Sequence, residues 1–287
     1  MFQLKVYEVP ESSRVAKGGA VVNLIELQQG EKVLSVLPIK KHTDKDGEKP
    51  KFVVMATRHG VIKKTAILAY ESIRRSGIIA IKLTAGDQLC WARLTKGEDT
   101  ILLVSQKGMS IKFKETDVRP MARDTMGVRG IKLKTGDVLI GMDAIDKEDI
   151  KAELLVITEK GIGKKTSVDA WPRQLRGGVG VKAANLTDKT GNIVTAQILT
   201  KDDEGLILTS KRGQVMRTTI RSVPRLTRDT QGVIIMRLTK EDKVAAATIV
   251  KKKKDEEVEG LEIEKKATQK ATSPAKKLKA PPANKNK

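Results

Sequence analysis

The sequence predicts an all-β fold built from repeated modules, and three observations carry that prediction. A glycine recurs about every 50 residues in similar surroundings, at Gly60, Gly108, Gly161 and Gly213. Around these glycines the chain reads as strand, tight turn and strand, as in ILLVSQKGMSIKF, ELLVITEKGIGKK and GLILTSKRGQVMR. No stretch has the period of a convincing amphipathic helix.

Each unit can be followed in order. The position four after the turn glycine is basic every time: Lys64, Lys112, Lys165 and Arg217. A second glycine follows at Gly77, Gly127, Gly177 and Gly232. Four residues later comes an apolar residue (Ile81, Ile131, Val181, Met236), then a base (Lys82, Lys132, Lys182, Arg237). IKL, with a base between two apolar residues, alternates as a half-buried strand does. The pairs Gly86-Asp87 and Gly136-Asp137 mark another turn, before the apolar strands QLCWARL and VLIGMDAI. Gly18, Val22, Asn23 and Leu24 keep the same register without a preceding turn glycine. This gives about five units, the first incomplete, each with about four short strands. Such a period with all-β content marks propeller-like blades. The expected domain is 1–250.

Charge points to a partner. The chain has 56 Lys and Arg against 35 Asp and Glu, a net +21 over 287 residues. The segment 251–287 holds 12 Lys and 6 acidic residues, so +15 of that charge lies in residues 1–250. That last segment is rich in Lys, Ala and Pro and lacks aromatics, which predicts a disordered tail. In Ile131-Lys132-Leu133 alternation turns the apolar pair inward and Lys132 outward. Lys82, Lys182 and Arg237 share that setting. The loops before the second glycine carry Arg14, Lys17, Arg74, Arg75, Arg123, Arg173, Arg176 and Arg228. With Arg129, and with Lys63, Lys64, Lys112, Lys164, Lys165 and Arg217 beside the turns, these are the candidate phosphate contacts. One positive group at the same place in every module would hold duplex phosphates without reading bases.

Other classes are excluded or unsupported. Two histidines (His42, His59) and one cysteine (Cys90) cannot build a Cys/His zinc site or a disulfide framework. Cys90, beside Trp91 in an apolar strand, reads as a core thiol. GIGKKT at 161–166 has Thr158 where a phosphate loop needs its first glycine. No apolar run is long enough to span a membrane, and the start has no signal-peptide pattern, so a cytoplasmic protein is expected.

The strings KVYEVPESSRVAKGGAVVNL, HGVIKKT, RDTMGVRGIKL and RDTQGVIIMRL resemble the C-terminal region of the DNA gyrase A protein, over residues 1 to about 250. The A protein of topoisomerase IV is a close relative. The resemblance implies a β-pinwheel, a ring or spiral of four-stranded blades that exchange strands. It implies a basic rim that bends and wraps double-stranded DNA in the service of negative supercoiling. It implies a nucleoid-associated bacterial protein whose partners are the gyrase A cleavage core and the gyrase B protein. ATP and Mg would belong to that remainder, and no cofactor is expected here. The family's catalytic tyrosine is not matched; only Tyr7 and Tyr70 occur, and Tyr7 is expected in a repeat strand. The family's QRRGGKG box has a partial copy, QLRGGVG, in which Gln174, Arg176, Gly177, Gly178 and Gly180 match.

Overall fold

The computed structural model describes residues 1–13, 15–39, 51–71, 73–74, 76–146, 149 and 151–252. Its strands are β1 (Phe52–Thr57), β2 (Val61–Ala66), β3 (Leu89–Thr95), β4 (Thr100–Ser105) and β5 (Met109–Lys114). Then follow β6 (Val128–Arg129), β7 (Leu139–Ile145), β8 (Glu153–Thr158), β9 (Ile162–Ser167) and β10 (Val181–Lys182). The last are β11 (Ile193–Leu199), β12 (Asp203–Ser210), β13 (Val215–Thr219), β14 (Val233–Ile234) and β15 (Val244–Lys251). Among the described residues there is no α-helix, only short 3-10 turns.

The strands form four antiparallel sheets, ordered β3-β1-β2-β6, β7-β4-β5-β10, β11-β8-β9-β14 and β15-β12-β13. Each of the first three blades therefore contains a hairpin, a long third strand on one side and a two-residue strand on the other. That short strand belongs to the following unit, so strands are exchanged between neighbours. The hairpins form because each turn ends in a glycine with φ of +75° to +87°. L-residues with a side chain avoid that region, and it suits a three-residue hairpin loop. Asp137 ties the second turn down: its carboxylate accepts from Ser105 Oγ at 2.6 Å and from the Lys107 amide at 2.9 Å.

Successive sheets bury apolar faces against one another. Ile62, Leu103, Ile111, Phe113 and Ile131 fill the seam between the first and second blades. Leu102, Val104, Leu154, Val156 and Trp171 fill the next, and Leu155, Ile157, Leu206, Leu208 and Met236 the last. The long strands β3, β7, β11 and β15 adjoin one another along one edge of the stack. There Arg93 meets Asp143 at 3.0 Å, and Asp143 also accepts from the Ile198 amide at 2.8 Å. The short strands occupy the opposite edge.

Four expectations are corrected. In the third unit the recurring glycine is Gly180, not Gly177. A Cβ would lie 2.7 Å from the Ile62 carbonyl at Gly127 and 2.7 Å from the Gly163 carbonyl at Gly232, and at Gly180 it would strike the Ser110 carbonyl. The amides of Lys82, Lys132 and Asn185 bond the Thr125, Gly178 and Thr230 carbonyls, so Asn185 takes the place assigned to Lys182. Lys182 instead matches Arg129, since both end a two-residue strand. The IKL segment lies just past its short strand, although Ile131 is buried and Lys132 exposed as expected. Tyr7 lies in the 3-10 turn Val6–Glu8, not in a strand, and is exposed. The last strand, β15, runs to Lys251.

Residues 1–39 contain no strand among those described and are mostly exposed. Met1 and Leu37 pack against Val53, Met55 and Tyr70 of the first complete blade. Arg14, Arg75, His42 and residues 253–287 of the tail lie outside the described residues.

Candidate nucleic-acid interface

The edge bearing the short strands is where the units overlap most closely. Each loop preceding a short strand lies on the unit before it. The Met121, Gln174 and Leu226 amides bond the Lys64, Lys112 and Lys165 carbonyls at 2.8 Å each. Further on, the Lys132 amide reaches the Gly178 carbonyl, and the Gly177 amide bonds the Gly130 carbonyl at 2.6 Å. Two arginines staple the overlap. Arg176 donates to the Asp117 carbonyl (2.9 Å) and the Arg129 carbonyl (3.2 Å). Arg228 donates at the matching place to the carbonyls of Ala170 (3.2 Å) and Lys182 (2.9 Å). These guanidiniums are thereby oriented and keep donors to spare, since each has five N–H groups.

This overlap lines up exposed cations. Arg123 and Lys82 share the first seam, through the bond from the Lys82 amide to Thr125. Arg173, Arg129 and Lys132 surround Arg176 at the second. Lys182 and Arg225 accompany Arg228 at the third, with Arg237 exposed further along the same segment. Arg225, 3.2 Å from Glu153, is a member that the repeat columns of the sequence do not mark, although it takes Arg173's place in the fold. Lys17, Arg74 and Arg217 are exposed but are not joined to this strip by any bond described above.

The lysines beside the hairpin turns are a correction. Lys63, Lys64 and Lys164 are buried, at 0%, 3% and 0% exposure, because the hairpin strands lie mid-sheet with both faces covered. The half-buried Lys112 sends its ammonium inward as well. Lys64 donates to the Glu115 carbonyl (3.0 Å) and Lys112 to the Val168 carbonyl (2.9 Å). Glu115 and Val168 both open the next unit's 3-10 turn, so this column fastens unit to unit. Lys64 also lies 3.7 Å from the buried Glu115 carboxylate and 4.9 Å from the centre of the Phe52 ring. Lys165 pairs with Glu153 at 3.5 Å. Burial pushes the pKa of Lys64 and Lys112 down, opposed by Glu115 and Asp169 respectively. Sequence offers one signal for this: consecutive lysines at 63–64 and 164–165 must face both sides of a covered strand.

In the QLRGGVG loop, Gln174 bonds through its amide while its buried Oε1 has no partner. Gly177 (φ +84°) stands where the neighbouring loops have Asp124 and Asp229. His59 is a turn residue, 3.6 Å from Asp87. Cys90 is a free, half-buried thiol whose pKa is raised by burial. Among the described residues no cluster of His, Cys, Asp or Glu could hold a metal, and no helix is long and apolar enough to cross a membrane.

Comparison with known proteins agrees with this architecture. The chain matches the model of the DNA gyrase C-terminal domain, beta-propeller, over residues 1–40, 51–96, 99–146, 152–200 and 206–251. The DNA gyrase A protein of Haloquadratum walsbyi is 37% identical over 246 residues, covering 86% of this chain and 28% of that protein. The gyrase A protein of Staphylococcus aureus strain MRSA252 is 37% identical over 259 residues, covering 90% and 29%. The chain thus spans under a third of the length of these relatives. Among solved structures, the C-terminal domain of DNA topoisomerase IV superposes with a TM-score of 0.73 at 23% identity, covering 87% of this chain and 75% of that one. A DNA gyrase A C-terminal domain gives 0.66 at 24%, covering 82% and 75%. Four blades that exchange strands and a family match spanning every repeat identify the chain as a member of the DNA gyrase A C-terminal domain family, with the β-pinwheel fold.

Proposed function

We propose that this chain binds duplex DNA without sequence preference along the strip of short strands and overlapping loops, and that it bends the duplex in the service of negative supercoiling by DNA gyrase. The observation that carries this is the overlap itself. Arg176 and Arg228 bond the backbone of the preceding unit at matching places, which sets an Arg/Lys cluster at each of the second and third seams. Cations spaced by a rigid repeat suit phosphates, which position a duplex but carry no sequence information. On this reading the chain cuts no DNA itself. Strand cleavage and ATP hydrolysis belong to a gyrase A cleavage core and a gyrase B protein, its proposed partners on the bacterial nucleoid. The 37% identity to gyrase A proteins favours gyrase over topoisomerase IV.

Anisotropy titration with a duplex tests the binding. If about 6–10 phosphates are neutralised, affinity falls roughly 10³–10⁵-fold between about 50 and 200 mM salt. A flat salt response rejects the reading. Bending is tested by relaxing circular DNA with a nicking-closing enzyme in the presence of the protein. A shift in linking number supports wrapping, and none at saturation leaves contact without wrapping. Bending a short site costs about 1–6 kcal/mol, which the strip's contacts must offset.

A further inference from the structure

Lys164 has no exposed surface, yet its ammonium is fully engaged. It donates to the carbonyls of Thr227 (2.8 Å), Arg228 (2.6 Å) and Thr230 (2.9 Å), with Thr230 Oγ1 at 3.4 Å. An ammonium has three donors, and three main-chain oxygens of one loop converge on it. We propose that Lys164 is a positioning residue of the DNA interface: its buried ammonium holds the Thr227–Thr230 loop in the curled shape that presents Arg225 and Arg228 outward. This inference rests on the DNA-binding reading above.

The repeat supplies an internal comparison. Lys63 occupies the same position two blades earlier and donates to the Ala80 and Arg123 carbonyls, clamping the Arg123-Asp124-Thr125 loop. Between them stands Ile111, and its blade's loop reads Arg176-Gly177-Gly178. A lysine therefore accompanies each Arg-Asp-Thr loop, and an apolar residue accompanies the Arg-Gly-Gly loop. Met216 fills the position in the last blade.

The charges around each clamp agree. Burial pushes the pKa of Lys164 down to about 8, with Asp229 opposing that shift and Arg228 adding to it. Burial likewise takes Lys63 to about 8, opposed by Asp124. The Tyr70 hydroxyl shares the Ala80 carbonyl at 3.4 Å, and the Met1 amine bonds the nearby Ile78 carbonyl. Both clamps keep their protons at neutral pH and lose them above about 8. Two opposite trends follow. The folded pKa lies below the ordinary lysine value of 10.5, so global stability rises as pH climbs from about 8 toward that value. Loop anchoring weakens over the same range.

The test uses the full chain and Lys164→Met, a side chain the repeat already tolerates at Met216. Amide hydrogen exchange at residues 226–231 reads the loop, and duplex affinity and linking-number shift read the interface. The expected result is cooperative folding, loop exchange accelerated about tenfold or more, and a reduced linking-number shift. In a second arm, wild-type protein is compared at about pH 7.5 and 9.5, where exposed lysines and arginines largely keep their charge. Loop exchange, corrected for the intrinsic effect of pH, should rise and affinity fall at the higher pH. Both changes should be much smaller in a Lys63→Met, Lys164→Met double variant. The wild-type comparison also decides the matter should the variants fail to fold. Unchanged loop exchange in both arms overturns the clamp. Faster loop exchange with unchanged DNA affinity and linking number overturns the positioning role. No duplex binding by the wild-type protein at low salt rejects the DNA reading itself, and loop exchange then reports on the clamp alone.

Discussion

The loops 176–180 and 228–232 occupy the same place on successive units, yet different chemistry holds them. The second is clamped from below by Lys164 and carries Asp229. The first has Ile111 below it, Gly177 in place of the aspartate, and a polar latch at its side. Trp171, 1% exposed, donates through its indole to Ser110 Oγ at 2.6 Å, and that hydroxyl bonds the Val181 carbonyl at 3.0 Å. Both loops nevertheless set an arginine on the backbone of the unit before. The repeat preserves where the guanidinium sits and varies the means of holding it. The variation also changes the local field: the second seam has no acidic residue in its loop and Asp117 stands 3.9 Å from Arg173, whereas the third has Asp229 in the loop and Glu153 closer, 3.2 Å from Arg225.

Four experiments break or sharpen that contrast. Trp171→Ala removes the latch and opens a core cavity, at a cost of about 3–5 kcal/mol in denaturant unfolding. A loss below about 1 kcal/mol would show that the latch contributes little. Gly180→Ala forces a side chain onto a residue with φ +80° and against the Ser110 carbonyl. It should cost at least about 1–3 kcal/mol and loosen loop 176–180 selectively in hydrogen exchange. Arg173→Ala with Arg176→Ala should lower the salt slope of duplex binding by about two. The matching pair Arg225→Ala with Arg228→Ala should lower it less, because Asp229 and Glu153, 3.2 Å from Arg225, offset those charges more than Asp117, at 3.9 Å, offsets Arg173. Equal effects would refute the seam contrast. The smallest effect is expected from deleting residues 253–287, which carry ten lysines and six acidic residues. Screening over about 8–10 Å confines such charges to DNA close by, so affinity should fall by less than about threefold. Tighter binding after the deletion would make the tail inhibitory.

Much of the fold is legible in the sequence because its determinants are local. A turn glycine between alternating runs specifies a hairpin, and four such turns at one period specify blades. Residue patterns alone do not disclose the exchanged strands, since a two-residue strand such as Val128–Arg129 has no pattern of its own. The column of Gly177 is ambiguous because RGGVG offers three glycines, and only the Ser110 carbonyl distinguishes Gly180. Loop arginines such as Arg123 and Arg173 are exposed, as charge in a turn suggests. Lys63 and Lys164 defeat the same inference, because a charge in a sequence suggests solvent. The acceptors of Lys164 are main-chain oxygens 63 to 66 residues away, which no composition reveals.

Because the outermost strand of each of the first three blades is lent by the following unit, the repeat has no natural seam at which to divide. A break anywhere within the stack separates some blade from a strand it borrows or lends. Loss of one whole period, wherever it starts, still leaves the remaining blades with their usual complement. Arrays of this kind can therefore lengthen or shorten by whole periods through in-phase duplication and loss, and tolerate little else. The same lending couples neighbours mechanically: force applied to one seam is carried through the chain into the next blade, so a load spread along the strip is borne by the stack as a whole.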